Sequence, residues 1–507
     1  MQRSLRTNIA ANIAGRFYTA LAGIVFVPVY LHFLGVSGYG LFALLNSYMA
    51  IAGLLDLGFS GAITREIAKL SATTPERMRD LVWTISLPYC VTTVILALAI
   101  YVASPWIADF AIDKGAGPPD PEVVRAVGLA GFGLTLQLPG FLYGGGLAGL
   151  QRQDIANAIT IVSTTLRHGV AVALLWGVTD SVAMLMAWQA VIAAFTAGAA
   201  FIALWSRLPP SGSRPRFRTN LLRETWKFAA GLGGLTVLGT VVLQSDKIII
   251  GALLPLSVVG RYMVASVIAT NLLLIAQPVA SAAFPRLSQL IAVKNWPSLY
   301  ATCEQLSQLV AVMALPVTTV IAVFPELTLR VWTGNGDIAQ SAGPLLRCLA
   351  IGVIFNAMAS IPYSFEVAMG RTTILFVISV IKSPITLAIV GLGTMRFGPI
   401  GAAVGMCAYF VMGFVAVAAV LRSMFRREEW WRWLSRDAAV PSVLATTLAL
   451  LMLQVLPPAA GRISGLAVLA ATWLVSTFAV AAALPRIRQQ ALWHWQHMRA
   501  RSLGSTH

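Results

Sequence analysis

The chain alternates between long apolar segments and short polar connections along nearly its whole length. Runs of about 20 apolar residues are long enough to cross a bilayer as helices. They are too long and too uniformly apolar for the alternating strands of a membrane barrel. We therefore predict an all-α integral membrane protein. Its fourteen predicted spans lie near residues 9–34, 39–62, 81–108, 126–150, 155–176, 182–205, 228–253, 261–285, 307–332, 344–369, 373–395, 400–421, 438–457 and 463–484.

Composition agrees with the membrane assignment and limits which partners and binding sites are expected. Hydrophobic residues make up 58% of the chain and charged residues 11%, whereas soluble domains carry roughly 25% charged residues. The net charge of +17 lies between the apolar segments, which argues against a nucleic-acid partner. The four cysteines have no paired spacing, so no disulfide framework, metal site or cofactor is predicted.

The distribution of basic residues predicts the orientation. Basic residues concentrate on the cytoplasmic side of membrane proteins. With both termini placed in the cytoplasm, 25 of the 36 lysines and arginines lie on that side, 6 lie on the other and 5 fall inside spans. The first segment follows Arg3 and Arg6 and lacks a small-residue cleavage site, so we expect it to be retained as a helix.

The strongest predicted linker runs from Ser206 to Lys227. Proline, glycine and serine break any helix at its start, and six basic residues face only Glu224. The basic residues either attract anionic lipid heads or serve only as a topology signal. The linker separates the first six spans from the next six.

An internal repeat accompanies this division. Gly-Tyr at 38–39 and Leu-Pro at 138–139 recur as Arg-Tyr at 261–262 and Ile-Pro at 361–362, both at an offset of 223 residues. Equal span counts and a shared offset predict two six-helix lobes of the same orientation. The predicted organisation is an N-terminal lobe (1–206), a linker (207–227), a C-terminal lobe (228–422), and a basic loop with two further helices and a tail (423–507).

Charged residues inside the spans are the candidate functional groups. A charge at the centre of a membrane helix costs about 2.5–3.5 kcal/mol or more, so it normally faces a partner or a wet cavity. Cations outnumber carboxylates here, and unpaired cations in a low-dielectric cavity attract phosphate strongly. The predicted cavity cations are Arg16, Arg167, Lys247, Arg347 and Lys382, and the predicted ion-coupling carboxylates are Asp56, Asp246 and Glu366.

Each of these residues also has a purely structural interpretation. Arg16 and Arg347 lie near span ends, where long side chains snorkel to the head groups. Asp246 and Lys247 point about 100° apart on a helix, so we expect them to pair poorly with each other. Three further alternatives are that Asp56 caps a helix or pairs with Arg65, that Glu366 pairs with Arg371, and that His168 is a satisfied buried histidine.

Several motifs resemble a known family. They are N8…R16…P28…LG(34–35)…GYGL(38–41), LLDLGFSGAITREIA (54–68) and SDKIIIG (245–251) followed by VGRY (259–262). In the first of these, two apolar segments are expected to form a hairpin that turns through VSGYG (36–40). The pattern is similar to the polysaccharide transporter group, including Wzx-type flippases, of the multidrug/oligosaccharidyl-lipid/polysaccharide exporter superfamily.

The resemblance implies a V-shaped fold of two lobes around a central cationic cavity. It also implies that an undecaprenyl-pyrophosphate-linked oligosaccharide, an O-antigen or exopolysaccharide repeat unit, moves from the cytoplasmic to the periplasmic leaflet of the bacterial inner membrane. Cations in the first and seventh spans are implicated in such flippases, and Arg16 and Lys247 match those positions. The implied partners are the lipid-linked substrate, the bilayer, and the polymerase and glycosyltransferases of the same pathway.

Two other function classes fit the sequence less well. A multidrug cation antiporter of the same superfamily should carry more acid than base in its cavity, and this chain has the reverse. A membrane polymerase or ligase should carry a large outer loop, whereas the longest outer loop, Asp109 to Arg125, is short. The sequence contains no phosphate-binding loop and no nucleophile elbow, so neither an enzyme nor an ATP-driven exporter is predicted.

Overall fold

The computed structural model describes residues 15–111, 120–210, 214–456 and 461–489. Within these ranges it leaves out the side chains at positions 52, 53, 72, 111, 224, 227, 228, 230–238 and 372. The predicted basic N-terminus with Arg3 and Arg6, the start of the first span, Lys114 in the outer loop and the end of the basic tail lie outside the described residues.

Every regular element in these ranges is helical, which confirms the all-α prediction. The helices are α1 (15–25), α2 (Val27–Ala50), α3 (Ala52–Leu55), α4 (Phe59–Thr73), α5 (Arg77–Ala111), α6 (Pro121–Gly149), α7 (Gln153–Gly177), α8 (Val182–Trp205), α9 (Thr219–Leu253), α10 (Leu256–Leu273), α11 (Gln277–Ala292), α12 (Trp296–Val323), α13 (Pro325–Thr333), α14 (Gly336–Ala368), α15 (Thr372–Phe397), α16 (Pro399–Met424), α17 (Arg427–Arg432), a π-helix (Trp433–Ala439), α18 (Val440–Val455) and α19 (Arg462–Ala483).

Twelve helical stretches of the described chain are long and apolar enough to cross a membrane. They include counterparts of the predicted spans from the third to the sixth and from the eighth to the fourteenth. Helix α9 covers the whole of the seventh predicted span. The first predicted span begins outside the described residues, so the count of fourteen stays a prediction.

The first two apolar segments join differently from the predicted hairpin. Residues 36–40 do not form a turn, because they lie inside helix α2. The helical backbone is interrupted one residue earlier, at Gly35, where φ is 66° and ψ is −179°. Glycine adopts this conformation without the steric penalty that a side chain would bring.

The second segment ends earlier than its predicted limit of residue 62. Helix α2 stops at Ala50, and a break separates the short α3 from α4. In the break, Leu57 has φ of 49° and Gly58 has φ of 83°. The Asp56 carboxylate accepts a hydrogen bond from the backbone N–H of Ser60 at 3.1 Å, and this bond satisfies a free donor in the first turn of α4.

The chain divides into two compact units, 1–263 and 264–507. In the first unit α6 packs against α4, α5 and α8, and in the second unit α14 packs against α11, α12 and α16. The same order of neighbours thus recurs around the fourth span of each half, as the 223-residue repeat predicts. The repeated prolines, Pro139 and Pro362, lie inside α6 and α14.

The last two long helices pack outside this repeated arrangement. Helices α18 and α19 contact each other and α12, through a small core that includes Ala311, Leu315, Ala445 and Val480. The assignment of residues 228–422 to a second lobe stays a prediction, because the boundary between the compact units falls inside α10.

Glycines bring helix backbones into direct contact in the first unit. A Cβ on Gly149 would lie 2.7 Å from the Thr64 carbonyl oxygen. The Thr64 hydroxyl donates a hydrogen bond to the Gly145 carbonyl at 2.8 Å. The glycine-rich stretch 144–149 therefore packs α6 onto α4 at a distance that larger residues would prevent.

A similar contact joins α2 to α10. A Cβ added to Gly260 would overlap the carbonyl oxygen of Val36, and one added to Gly40 would overlap the carbonyl oxygen of Leu256. Backbone cannot move aside as a flexible side chain can, so both positions require glycine.

We expect Gly260→Ala to destabilise the purified protein by about 1–3 kcal/mol, the usual cost of overpacking. The measurement is the Tm in detergent. Gly391→Ala is the control, because a Cβ there meets nothing within 4 Å. Equal Tm values for the two variants would contradict the α2–α10 contact.

Candidate functional site

Arg167 is a half-buried cation on α7 that lacks a counter-ion. Its Nε is buried and has no hydrogen-bond partner, and no carboxylate of the described residues lies within ion-pair distance of it. A buried charge without a partner is expensive, so this guanidinium is available to a ligand.

His168, the neighbour of Arg167, has its ring contacts satisfied within the protein, as the structural alternative predicted. Its ring stacks on Phe26 with a centroid distance of 4.9 Å and an interplanar angle of 11°. Its Nδ1 is hydrogen-bonded to the Tyr30 hydroxyl at 2.9 Å. These contacts fix α7 against α2 and hold the backbone that carries Arg167.

Lys382 is the corresponding cation in the second unit. Its Nζ lies 3.7 Å from the centroid of the Tyr409 ring, a cation–π contact that stabilises the ammonium without neutralising it. None of the ion pairs found among the described residues includes Lys382. Its side chain is half-buried on α15.

Arg167 and Lys382 lie on equivalent helices of the repeat, although not at equivalent positions within them. Helix α7 is the fifth predicted span and α15 the eleventh, so each cation belongs to the fifth span of its half. Both helices pack against the sixth span of the same half, α8 and α16 respectively. Each half therefore provides one uncompensated cation from the same element.

Lys247 differs, because it is paired. The prediction that Asp246 and Lys247 pair poorly is wrong, since Lys247 Nζ lies 3.3 Å from Asp246 Oδ1. Nζ also donates to the Leu243 carbonyl at 3.2 Å, so the flexible lysine stem curls back over its own helix. The second carboxylate oxygen of Asp246 accepts a hydrogen bond from the Tyr262 hydroxyl at 2.6 Å.

Asp56 is also satisfied, by capping rather than by Arg65. Its carboxylate accepts hydrogen bonds from the Tyr89 hydroxyl at 2.5 Å and from the Ser60 hydroxyl at 2.7 Å, besides the Ser60 backbone N–H. Arg65 instead pairs with Glu66 at 3.5 Å. The capping alternative for Asp56 accounts for its contacts.

Glu366 is the exception among the three candidate carboxylates. Its exposed fraction is 0%, and neither of its carboxylate oxygens has a hydrogen-bond partner. The alternative pairing with Arg371 is absent from the ion pairs of the described residues. Burying an ionised carboxylate in this way would be very costly, so the group is suited to carry a proton.

Arg16 and Arg347 are exposed. Arg347 Nε donates to the Ala322 carbonyl at 3.2 Å, in the last turn of α12, where a cation complements the helix dipole. Arg16 lies on α1, which a hydrogen bond of 2.7 Å between Tyr18 and Thr165 joins to α7. The helix of Arg16 thus runs beside the helix of Arg167.

Sequence reasoning missed the tyrosines that hold these groups. Four of the charged or titratable candidates contact a phenol from another helix, and the four phenols belong to Tyr30, Tyr89, Tyr262 and Tyr409. The sequence signal that could have identified these tyrosines is a polar hydroxyl group inside an apolar span. Of the four, the sequence pattern pointed only to Tyr262, and then as a marker of the repeat.

We expect Tyr262→Phe to lower the Tm of the protein, because it leaves a buried oxygen of Asp246 without a donor, at a cost of about 1–3 kcal/mol. Tyr39→Phe is the matched control, since Tyr39 occupies the repeat-equivalent position and is also buried. A Tm for Tyr262→Phe as high as that of the control would contradict the importance of this bond.

Comparison with known proteins places the chain in a family. The profile of the family described as polysaccharide biosynthesis protein matches residues 5–291, and the MatE profile matches residues 235–392. A curated relative from Shigella flexneri, named "Putative O-antigen transporter", is 22% identical over 409 residues, which cover 79% of this chain and 94% of the relative.

Solved structures share the fold. The lipid II flippase MurJ in an inward closed conformation superposes with a TM-score of 0.72 at 12% identity, covering 92% of this chain and 97% of that chain. An inward-facing multidrug resistance MATE family transporter superposes with a TM-score of 0.59 at 14% identity, covering 84% and 95%.

The two solved structures and the family profile agree with the family resemblance of the sequence motifs. The Shigella flexneri relative, MurJ and the MATE protein are all named as transporters or flippases, in agreement with the prediction that the chain is not an enzyme. The chain belongs to the polysaccharide biosynthesis protein family, within the polysaccharide transporters of the multidrug/oligosaccharidyl-lipid/polysaccharide exporter superfamily.

Proposed function

We propose that this protein is a flippase that moves an undecaprenyl-pyrophosphate-linked oligosaccharide from the cytoplasmic to the periplasmic leaflet of the bacterial inner membrane. The observation that carries the proposal is the pair Arg167 and Lys382, one uncompensated cation from the fifth span of each half. Membrane segments normally bury cations only where an anion or water meets them.

A pyrophosphate-linked sugar is the substrate that this arrangement suits. The pyrophosphate needs cations that are not already neutralised, and the low dielectric of a membrane site strengthens their attraction. The sugar and pyrophosphate are polar and must be kept out of the bilayer core, whereas the hydrocarbon polyprenyl tail can remain in the lipid. A protein that works by alternating access can move the polar head without opening to both sides at once.

The names of the relatives support a lipid-linked substrate. The Shigella flexneri relative is named for O-antigen, and MurJ is named as a lipid II flippase. The shared fold with a MATE transporter keeps the multidrug antiporter as the competing function. A cationic drug would need free carboxylates, and of the three candidate carboxylates only Glu366 lacks a partner.

The remaining predicted residues take secondary roles in this proposal. Arg16 and Lys247 come from the first span of each half, and Arg16, being exposed, is available to receive the pyrophosphate at the cytoplasmic side. Lys247 would become available if its contact with Asp246 opened. Arg347 is held by the end of α12, so we assign it no direct contact with the substrate.

The predicted organisation completes the proposal. It consists of an N-terminal lobe (1–206) and a C-terminal lobe (228–422), with both termini in the cytoplasm. The sugar would come from glycosyltransferases of the same pathway, and a polymerase would take it at the periplasmic side.

Glu366 is our candidate for ion coupling. Asp56 and Asp246 are each held by hydrogen bonds from neighbouring helices, so binding an ion would first have to break those bonds. Glu366 has no bond to break. A proton that binds and leaves this buried group would change the charge inside α14 during each transport cycle.

We expect Arg167→Gln and Lys382→Gln each to reduce transport at least tenfold, because the loss of one buried cation weakens phosphate attraction by more than about 1.4 kcal/mol. The measurement is the leaflet distribution of lipid-linked oligosaccharide in a deletion strain that carries each variant. A block traps the oligosaccharide on the cytoplasmic leaflet.

Arg396→Gln is the matched control, since it removes the same charge from an exposed position on the helix that carries Lys382. Membrane fractions establish that all variants are inserted at equal levels. Normal export by both test variants would overturn the cation assignment. Lost drug resistance in the deletion strain with normal surface sugar would favour the antiporter instead.

For Glu366→Gln we expect a protein that folds but whose transport no longer responds to a proton gradient, because an amide keeps the shape and cannot titrate. Transport into vesicles is compared with and without an imposed pH difference. Glu428→Gln, at an exposed position, should behave like the parent protein. A gradient response that survives in Glu366→Gln would exclude this residue as the proton carrier.

A further inference from the structure

A cavity of about 470 Å³ lies within the first unit, away from the cations discussed above. Its volume falls in the range of small-molecule sites, ~300–1,000 Å³. Side chains from α3, from the break before α4 and from α4, α5, α6 and α9 line it, and eight of the twelve lining residues are apolar. Among these lining residues the one charged side chain is Arg223.

The wall formed by the break before α4 has an unusual backbone. Leu57 has a positive φ of 49°, which is uncommon and strained for a bulky residue. The hydrogen bonds of Asp56 with Tyr89 and Ser60 hold this conformation in place. Leu57 lines the cavity as a result, and strained backbone of this kind clusters at ligand sites.

Hydrogen bonds tie the basic linker to α5 just before the cavity-lining residues of α9. Asp80 on α5 accepts hydrogen bonds from the backbone N–H of Arg216 at 2.9 Å and from Arg218 Nε at 2.5 Å. The Arg218 N–H donates to the Thr84 hydroxyl at 3.0 Å. These bonds fix the start of α9 and with it the position of Arg223.

The surroundings of the cavity are those of a membrane interface. Trp226 lines it, is 51% exposed and contacts the Phe59 ring at 5.5 Å between centroids. Tryptophan is enriched at the level of lipid head groups. Leu87 and Val91, on the helix that forms one wall, are also exposed, so α5 presents an apolar surface here.

We propose that the cavity binds one acyl chain of an anionic phospholipid from the cytoplasmic leaflet, with the phosphate of its head group at Arg223. The exposed arginines at 214 and 216 lie on the segment that leads into α9 and add positive charge to the part of the chain just before the lining residue Thr219. A mostly apolar lining with one arginine, preceded by a basic segment, matches the acyl chain and the anionic head group of a phospholipid.

The transported lipid is a less suitable occupant. A pyrophosphate would require strong uncompensated cations, yet Arg16, Arg167 and Lys247 are absent from the lining. The proposed lipid site is therefore separate from the proposed transport site. Lipid bound there would tie the linker and α9 to α5, and this would make the activity sensitive to the anionic lipid content of the membrane.

The test compares the purified protein in vesicles of phosphatidylcholine with and without phosphatidylglycerol. Bound phosphatidylglycerol is quantified by native mass spectrometry, and the Tm is recorded in both lipids. We expect Arg223→Gln to weaken phosphatidylglycerol binding about fivefold, the factor that corresponds to about 1 kcal/mol. Thr92→Trp, which places a large ring at an exposed lining position, should abolish the binding.

Arg207→Gln is the matched control, since Arg207 is an exposed linker arginine outside the cavity lining, and among the described residues it donates hydrogen bonds to Ala203 and Ser206. It should bind the lipid like the parent protein. Equal binding by Arg223→Gln, Thr92→Trp and the control would overturn the proposal. Displacement of phosphatidylglycerol by undecaprenyl phosphate at this site would assign the cavity to the transported lipid and would also overturn it.

Discussion

The bilayer core contains no water to solvate a charge, and this constraint organises the charged residues of the protein. A polar group in a span must find a partner inside the protein or face a cavity. Tyrosine hydroxyls from neighbouring helices supply many of the partners, as Tyr89 does for Asp56 and Tyr262 does for Asp246. The same bonds join helices, so satisfying the charge also fixes the packing.

Against this background, the groups without partners become informative. Arg167 and Lys382 carry charge that no described carboxylate neutralises, and Glu366 buries two oxygens that accept no hydrogen bond. Buried charges without partners destabilise a static fold, whereas a transporter can use such groups to bind its ligand or a coupled ion. An uncompensated cation recurs on α7 and α15, which are the fifth spans of the two halves.

The span pattern predicted the helical fold, because uniformly apolar runs of this length have no other stable form in a membrane. The repeat predicted that Pro139 and Pro362 occupy equivalent helices. Spacing along the chain could not predict which charges would be neutralised, since the partners of Asp56 and His168 come from distant segments. The sequence pattern also misplaced the break between the first two apolar segments. It predicted a turn through VSGYG (36–40), which has more turn-forming residues, whereas the helix is interrupted at Gly35.

The anchoring of the linker on α5 has a consequence for how the chain tolerates change in length. Arg79 donates to the Leu208 carbonyl on one side of residues 209–215, and Asp80 holds Arg216 on the other. With both ends fixed to one helix, the number of residues between them does not determine where α9 begins. Insertions and deletions in this family should therefore accumulate here. An epitope tag inserted between the two anchors should leave the start of α9 in place.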